Sequence, residues 1–218
     1  MKTRKFFKKV IRRLDEKLET DFLRKARKLE KFWYDFFGKL QIKIAPTIVK
    51  LKYKLGIKDK SPSKLHLGCG GHRIDGYVNV DWRMTPATDL ICDIRNLPFG
   101  INSAEIIECY HVIEHLPRHD LVPTFEKWYK ILAPGGKLIV ECPDFDEAVK
   151  EYLEGNEERL NNIFGLSRYP GDIHYFGYNF KRLKKILEEI GFVNIEEKEP
   201  QDYHSKEESC LRIECTKP

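Results

Sequence analysis

After residue 63, short apolar runs alternate with stretches in which apolar residues recur three and four apart. The runs predict strands at Lys64–Leu67, Tyr77–Asp81, Asp89–Cys92, Ile106–Tyr110 and Lys137–Cys142, and a closing pair near Val193–Glu197 and Cys210–Cys215. The longer stretches predict helices over Arg118–Leu132, from about Asp144, and over Phe180–Ile190. Asn179 is placed to cap the last of these, and Gly191 falls just past its end. Ala133-Pro134-Gly135-Gly136 reads as a turn between a helix and the fifth strand. This alternation implies an α/β fold: a mostly parallel, seven-stranded sheet with helices on both faces and an antiparallel edge at its end.

The first sixty residues follow another pattern. From Phe7 to about Leu40 the apolar positions form a single stripe on a long helix, with Lys and Arg on the remaining faces. Pro46 and Gly56 interrupt the pattern, and a linker follows, so residues 1–60 are expected to be a helical extension and residues 61–218 a domain. Charge sharpens the division. Residues 1–60 hold 20 Lys/Arg against 7 Asp/Glu, whereas residues 61–218 hold 19 against 27. The arm can pack on the domain or on a second copy as a homodimer, lie on an anionic membrane through residues 1–45, or contact nucleic-acid phosphates. An acidic domain disfavours nucleic acid. No apolar run is long enough to span a bilayer, no secretory signal is read, and the six cysteines form no C-x-x-C pair. A cytoplasmic protein with membrane association through its arm is the expectation.

Candidate chemistry gathers at the predicted strand ends, where sheets of this kind bind ligands. Gly68 and Gly70 follow strand one, Asp81 closes strand two and Asp93 closes strand three. The fingerprint of nicotinamide-binding domains needs a third glycine and an acid about twenty residues on. Arg73 stands at that glycine position and Asp81 comes too early, so that class is excluded. His111-Val112-Ile113-Glu114-His115 matches the zinc-protease pattern H-x-x-E-H, which requires a sustained helix. Pro117 restricts this segment to about one turn, so no metal site is expected, and Glu114 is read as part of a turn bonded to the neighbouring loop. For a hydroxyl acceptor the general-base candidates are His111, His115, His174 and Asp144. The aromatic stretch Gly171–Phe180 serves either as packing for the following helix or as an acceptor pocket, with Asn161–Asp172 as its lid.

The segments LHLGCG (65–70), NVD (79–81), CDIRNLPF (92–99), ECYHVIEHL (108–116) and ILAPGGKLIVECPD (131–144) resemble class I S-adenosylmethionine-dependent methyltransferases over roughly residues 64–218. That family usually inserts a helix between its glycine turn and second strand, for which Gly71–Gly76 leaves no room. The short form resembles a type 11-like subgroup common among sugar- and cell-surface-modifying enzymes. The resemblance implies a Rossmann-like fold with S-adenosylmethionine as cofactor. It places Gly68 and Gly70 along the methionine part, Asp81 at the ribose, Asp93 with Ile94 at the adenine and His111 beside the sulfonium, with Leu67, Cys69 and Trp82 as further cofactor-binding residues. Asp81→Ala is then expected to weaken cofactor binding while leaving the fold intact. The implied reaction is O-methylation of a sugar or a cell-surface glycan or lipid-linked precursor. A small-molecule or RNA methyltransferase, or a non-catalytic cofactor-binding module acting through its arm, are the alternatives.

Overall fold

In a computed structural model that describes residues 63–168 and 171–218, the predicted alternation becomes one seven-stranded sheet. Its strands are β1 (Lys64–Leu67), β2 (Val78–Asp81), β3 (Leu90–Ile91), β4 (Ala104–Tyr110), β5 (Leu132–Pro143), β6 (Val193–Lys198) and β7 (Cys210–Thr216). They lie in the order β3-β2-β1-β4-β5-β7-β6. The first five run parallel, and β7 inserts antiparallel between β5 and β6. The strand order reverses between β1 and β4, which opens a crevice at their carboxyl ends. The expected arm and linker over residues 1–60, with its membrane and homodimer contacts, lie outside the described residues, as do Tyr169 and Pro170 of the expected lid.

The central strands are buried on both faces. Leu65, Leu67, Ile107, Cys109, Leu138 and Val140 join Leu121, Phe125 and Trp128 of α1 (Arg118–Ile131) in one core. Three further helices follow: α2 (Phe145–Leu153), α3 (Arg159–Phe164) and α4 (Phe180–Ile190). Asn179 caps α4 by accepting the Arg182 N–H at 2.9 Å, and Gly191 closes it at φ +110°, as the sequence predicts.

Two local features differ from or extend that prediction. Ala133–Gly136 is no separate turn. The residues continue β5, with an irregularity in the β4–β5 register, and Gly135 at φ +77° bonds through its N–H to the Lys217 carbonyl. Between β1 and β2 a buried Asn79 replaces the missing helix. Its side chain accepts from the Ile74 N–H at 2.9 Å and donates to the carbonyls of Ile74 and Tyr77 and to Asp89. The short connection is thereby fixed by one amide.

Candidate functional site

At the carboxyl ends of β1 and β4 lies a cavity of about 540 Å³, bordered by the glycine turn, the β4 exit, the α3 region and the segment 202–208. Gly68 and Gly70 both adopt positive φ, +71° and +51°. Their roles differ. A Cβ on Gly68 would lie 2.1 Å from Val112 Cγ2, so this glycine admits the side chain that follows β4. A Cβ on Gly70 or Gly71 would meet nothing within 4 Å, so these two present bare backbone to open space.

Asp81 acts beneath the turn. It is 3% exposed, and its carboxylate accepts the Gly70 N–H at 2.8 Å and the Arg83 N–H at 2.7 Å. It therefore holds the turn's shape and lies outside the cavity lining. Asp93 accepts from the Arg95 backbone and guanidinium at 2.7–3.0 Å and caps the 3-10 turn Ile94–Asn96. Burial raises its pKa, but the Arg95 bonds outweigh that and hold it below the usual carboxylate value. Leu67 and Ile94 are core residues, and half-exposed Trp82 lies 3.5 Å from the Cβ position of Gly171. Of the expected cofactor residues, the structure brings Gly68, Cys69, Gly70 and His111 to the cavity; Leu67, Asp81, Trp82, Asp93 and Ile94 do not line it.

The four base candidates separate. Asp144 departs from expectation: it caps α2, accepting the N–H groups of Asp146 and Glu147, and lines neither of the two cavities described. His111 is half-buried with φ +51°, its Nε2 3.5 Å from Cys210 Sγ and its Nδ1 3.4 Å from both Glu114 and Glu208. Burial alone would lower its pKa, but Cys210 and Glu114 raise it to about 10. A ring already protonated at neutral pH cannot take a proton, so His111 is unsuited to be the base. For Glu114 burial acts upward, and His111 overcomes it, holding the carboxyl at about 2.

His115 and His174 remain. Their rings meet edge to face, 4.8 Å between centroids. His115 Nδ1 lies 3.1 Å from the Ile173 carbonyl and His174 Nδ1 2.7 Å from the Asn162 carbonyl. A carbonyl only accepts, so each Nδ1 carries the proton and each Nε2 keeps its lone pair. Burial also lowers the His174 pKa. Glu114 sits in the single 3-10 turn Ile113–His115, as Pro117 predicts. That turn does bond the next loop, through the Glu114 carbonyl to the Tyr175 N–H at 2.8 Å. The Glu114 side chain does not, because both its oxygens are buried without a hydrogen bond.

The lid segment is partly helical, since α3 occupies its start, and Asn161, Asn162, Gly165 and Arg168 line the cavity. The aromatic stretch divides. Tyr178 is packed in the core, whereas Tyr175 and Phe176 line a second cavity that shares His174 with the first. Arg118 and Arg182 lie over the Phe176 ring at 4.9 and 4.7 Å.

Sequence reading missed one wall. His72, Tyr203, His204 and His111 form a ladder of rings with successive centroids 4.4, 3.9 and 3.9 Å apart. The chain arranges this wall through buried Glu141, which accepts the N–H groups of Gln201 and Asp202 at 3.0 Å and pairs with Arg212. A buried acid facing an arginine across two strands was the available signal.

Residues 73–140 match the family model described as a methyltransferase domain. No curated protein sequence matches. Among solved structures, a methyltransferase from Thermotoga maritima is 17% identical with TM-score 0.46, covering 88% of this chain and 96% of its own. One from Archaeoglobus fulgidus is 14% identical with TM-score 0.48, covering 84% and 100%. A phosphoethanolamine N-methyltransferase 2 from Haemonchus contortus, solved with S-adenosyl-L-methionine, is 14% identical with TM-score 0.42 over 71% of this chain. The aligned region spans only 48% of that enzyme's length.

Proposed function

We propose that this chain, whose residues 73–140 match a methyltransferase domain, is a class I S-adenosylmethionine-dependent methyltransferase. It methylates a hydroxyl oxygen of a sugar or of a cell-surface glycan or lipid-linked precursor. The observation that carries this reading is the meeting of the glycine turn with His115 and His174 in one cavity. S-adenosylmethionine, when bound, supplies a methyl carbon made electrophilic by its sulfonium. The residues present fit it: Gly70 and Gly71 present bare backbone to the open space of the cavity. His115 and His174 each turn an Nε2 lone pair away from a carbonyl-bound Nδ1, which suits them to activate an acceptor hydroxyl. Asn161, Asn162 and Tyr203 add polar and ring surfaces of the kind a sugar uses. The in-line geometry that the displacement needs is supplied by positioning, worth several kcal/mol of barrier. A cytoplasmic setting is part of the same reading.

The test has two stages. Calorimetric titration with S-adenosylmethionine and S-adenosylhomocysteine should give binding; a folded chain that binds neither overturns the cofactor placement. Radiolabelled methyl transfer is then followed on nucleotide sugars, methyl glycosides, phosphoethanolamine and short RNA. Alkali-stable label on a sugar is expected, and label only on an amine or on RNA rejects the sugar reading.

A further inference from the structure

We infer that Glu114, His115 and His174 form a binding site for one divalent transition-metal ion on the acceptor side of the cavity. One donor atom from each of the three lies within 4.8 Å of the others. An ion of this class binds imidazole nitrogen and carboxylate oxygen near 2.1 Å, which asks for donors within about 4 Å of one another. Binding an ion would draw the three donors together from their present spacing.

Two independent observations single out this group. Glu114 is 2% exposed, yet neither carboxylate oxygen has a hydrogen-bond partner. A buried carboxylate without hydrogen bonds is costly, and its 3.4 Å ion pair with His111 falls outside hydrogen-bond geometry. A cation bound directly to it removes that cost. The second observation is the support behind the histidines. Each Nδ1 is committed to a backbone carbonyl, which fixes the tautomer whose Nε2 is free, as the outer partners of metal-bound histidines do.

Among the described residues two other groups compete, His111-Glu208-Cys210 and His111-Asp202-His204. Both depend on His111, whose ring already contacts Glu114, Glu208 and Cys210. Asp202 is bonded to His204 and caps the 3-10 turn Tyr203–Lys206. They have no vacant buried donor comparable with Glu114. The site also differs from the zinc-protease use of H-x-x-E-H: the turn supplies Glu114 and His115, and the third donor comes from a separate loop. This proposal departs from the sequence expectation of no metal site.

Two imidazoles and one carboxylate suit zinc, cobalt or manganese, with open positions for acceptor oxygens such as a vicinal diol; with the ion bound, the ion takes over from the two Nε2 lone pairs in activating the acceptor hydroxyl. That second role rests on the reaction proposed above; the metal site itself does not. Untagged full-length protein is stripped with a chelator and dialysed free of it. It is then titrated by calorimetry with zinc and, separately, with manganese, and bound metal is counted by mass spectrometry. One ion per chain is expected, with affinity at least tenfold weaker in His115→Ala and in His174→Ala. Circular dichroism reports whether each variant folds, and Glu114→Gln, which keeps the side chain's size, is the third variant. Three results overturn the site: no stoichiometric binding, undiminished binding in both folded histidine variants, or loss in His204→Ala and Cys210→Ser instead. The readout is bound metal, so a failure of sugar methylation does not register in it.

Discussion

Asp81 ties the chemistry of this chain to its folding at the level of one side chain. Its two oxygens each take a backbone N–H, one from Gly70 within the ligand-facing turn and one from Arg83 just past β2. Asp81→Ala takes this acceptor from both half-buried N–H groups, so stability is expected to fall along with cofactor binding. We predict a loss of about 1–3 kcal/mol of stability in urea unfolding, accompanied by weaker S-adenosylmethionine binding. A variant as stable as the parent would contradict the positioning role. The turn itself was legible in LGCG, because glycines after an apolar run have few other uses. The reason for Gly68 was not, since Val112 meets it only once β1 and β4 lie side by side. His111 was likewise readable as a site residue but not as a cation, because its charge is set by Cys210, far away in sequence, together with Glu114.

Among the elements, strands and long helices were legible because their apolar periods are set by burial on the sheet. The pieces that shape the cavity were less so. The short helix α3 and the 3-10 turn Tyr203–Lys206 have no periodic signal and are held by bonds from elsewhere. Glycines usually signal a turn, yet Gly135 and Gly136 let β5 bend without ending. The clearest dependence is that of segment 201–206 on Glu141, which serves two backbone N–H groups and Arg212 together. Arg212 retains Glu214 at 2.7 Å, which softens the loss of its other partner. Glu141→Ala is therefore expected to cost about 3 kcal/mol, the low end for breaking a buried ion pair, and to weaken cofactor binding through the displaced ring wall. Unfolding and calorimetry on the same sample check both. Full cofactor affinity in the variant would detach that wall from binding.

Across the whole molecule, charge divides a basic stretch of 60 residues from an acidic remainder. We propose that residues 1–45 hold the chain at an anionic membrane, because basic faces beside Phe, Trp and Leu suit such surfaces. Full-length protein should sediment with phosphatidylserine vesicles and be released as salt rises, while a chain lacking residues 1–45 should stay in solution. Salt-sensitive binding to RNA without vesicle binding would refute this. The sheet's topology has a further consequence, for the timing of biosynthesis. The ring ladder joins His72 and His111, translated early, to Tyr203 and His204, translated some ninety residues after His111. β7, the partner strand of β5, leaves the ribosome later still. A growing chain can assemble the glycine turn on β1, β2 and β4 long before the opposite wall exists. Ligand capture is thus postponed until segment 202–208 and β7 have been made, and a stall before residue 202 leaves a chain with half a cavity.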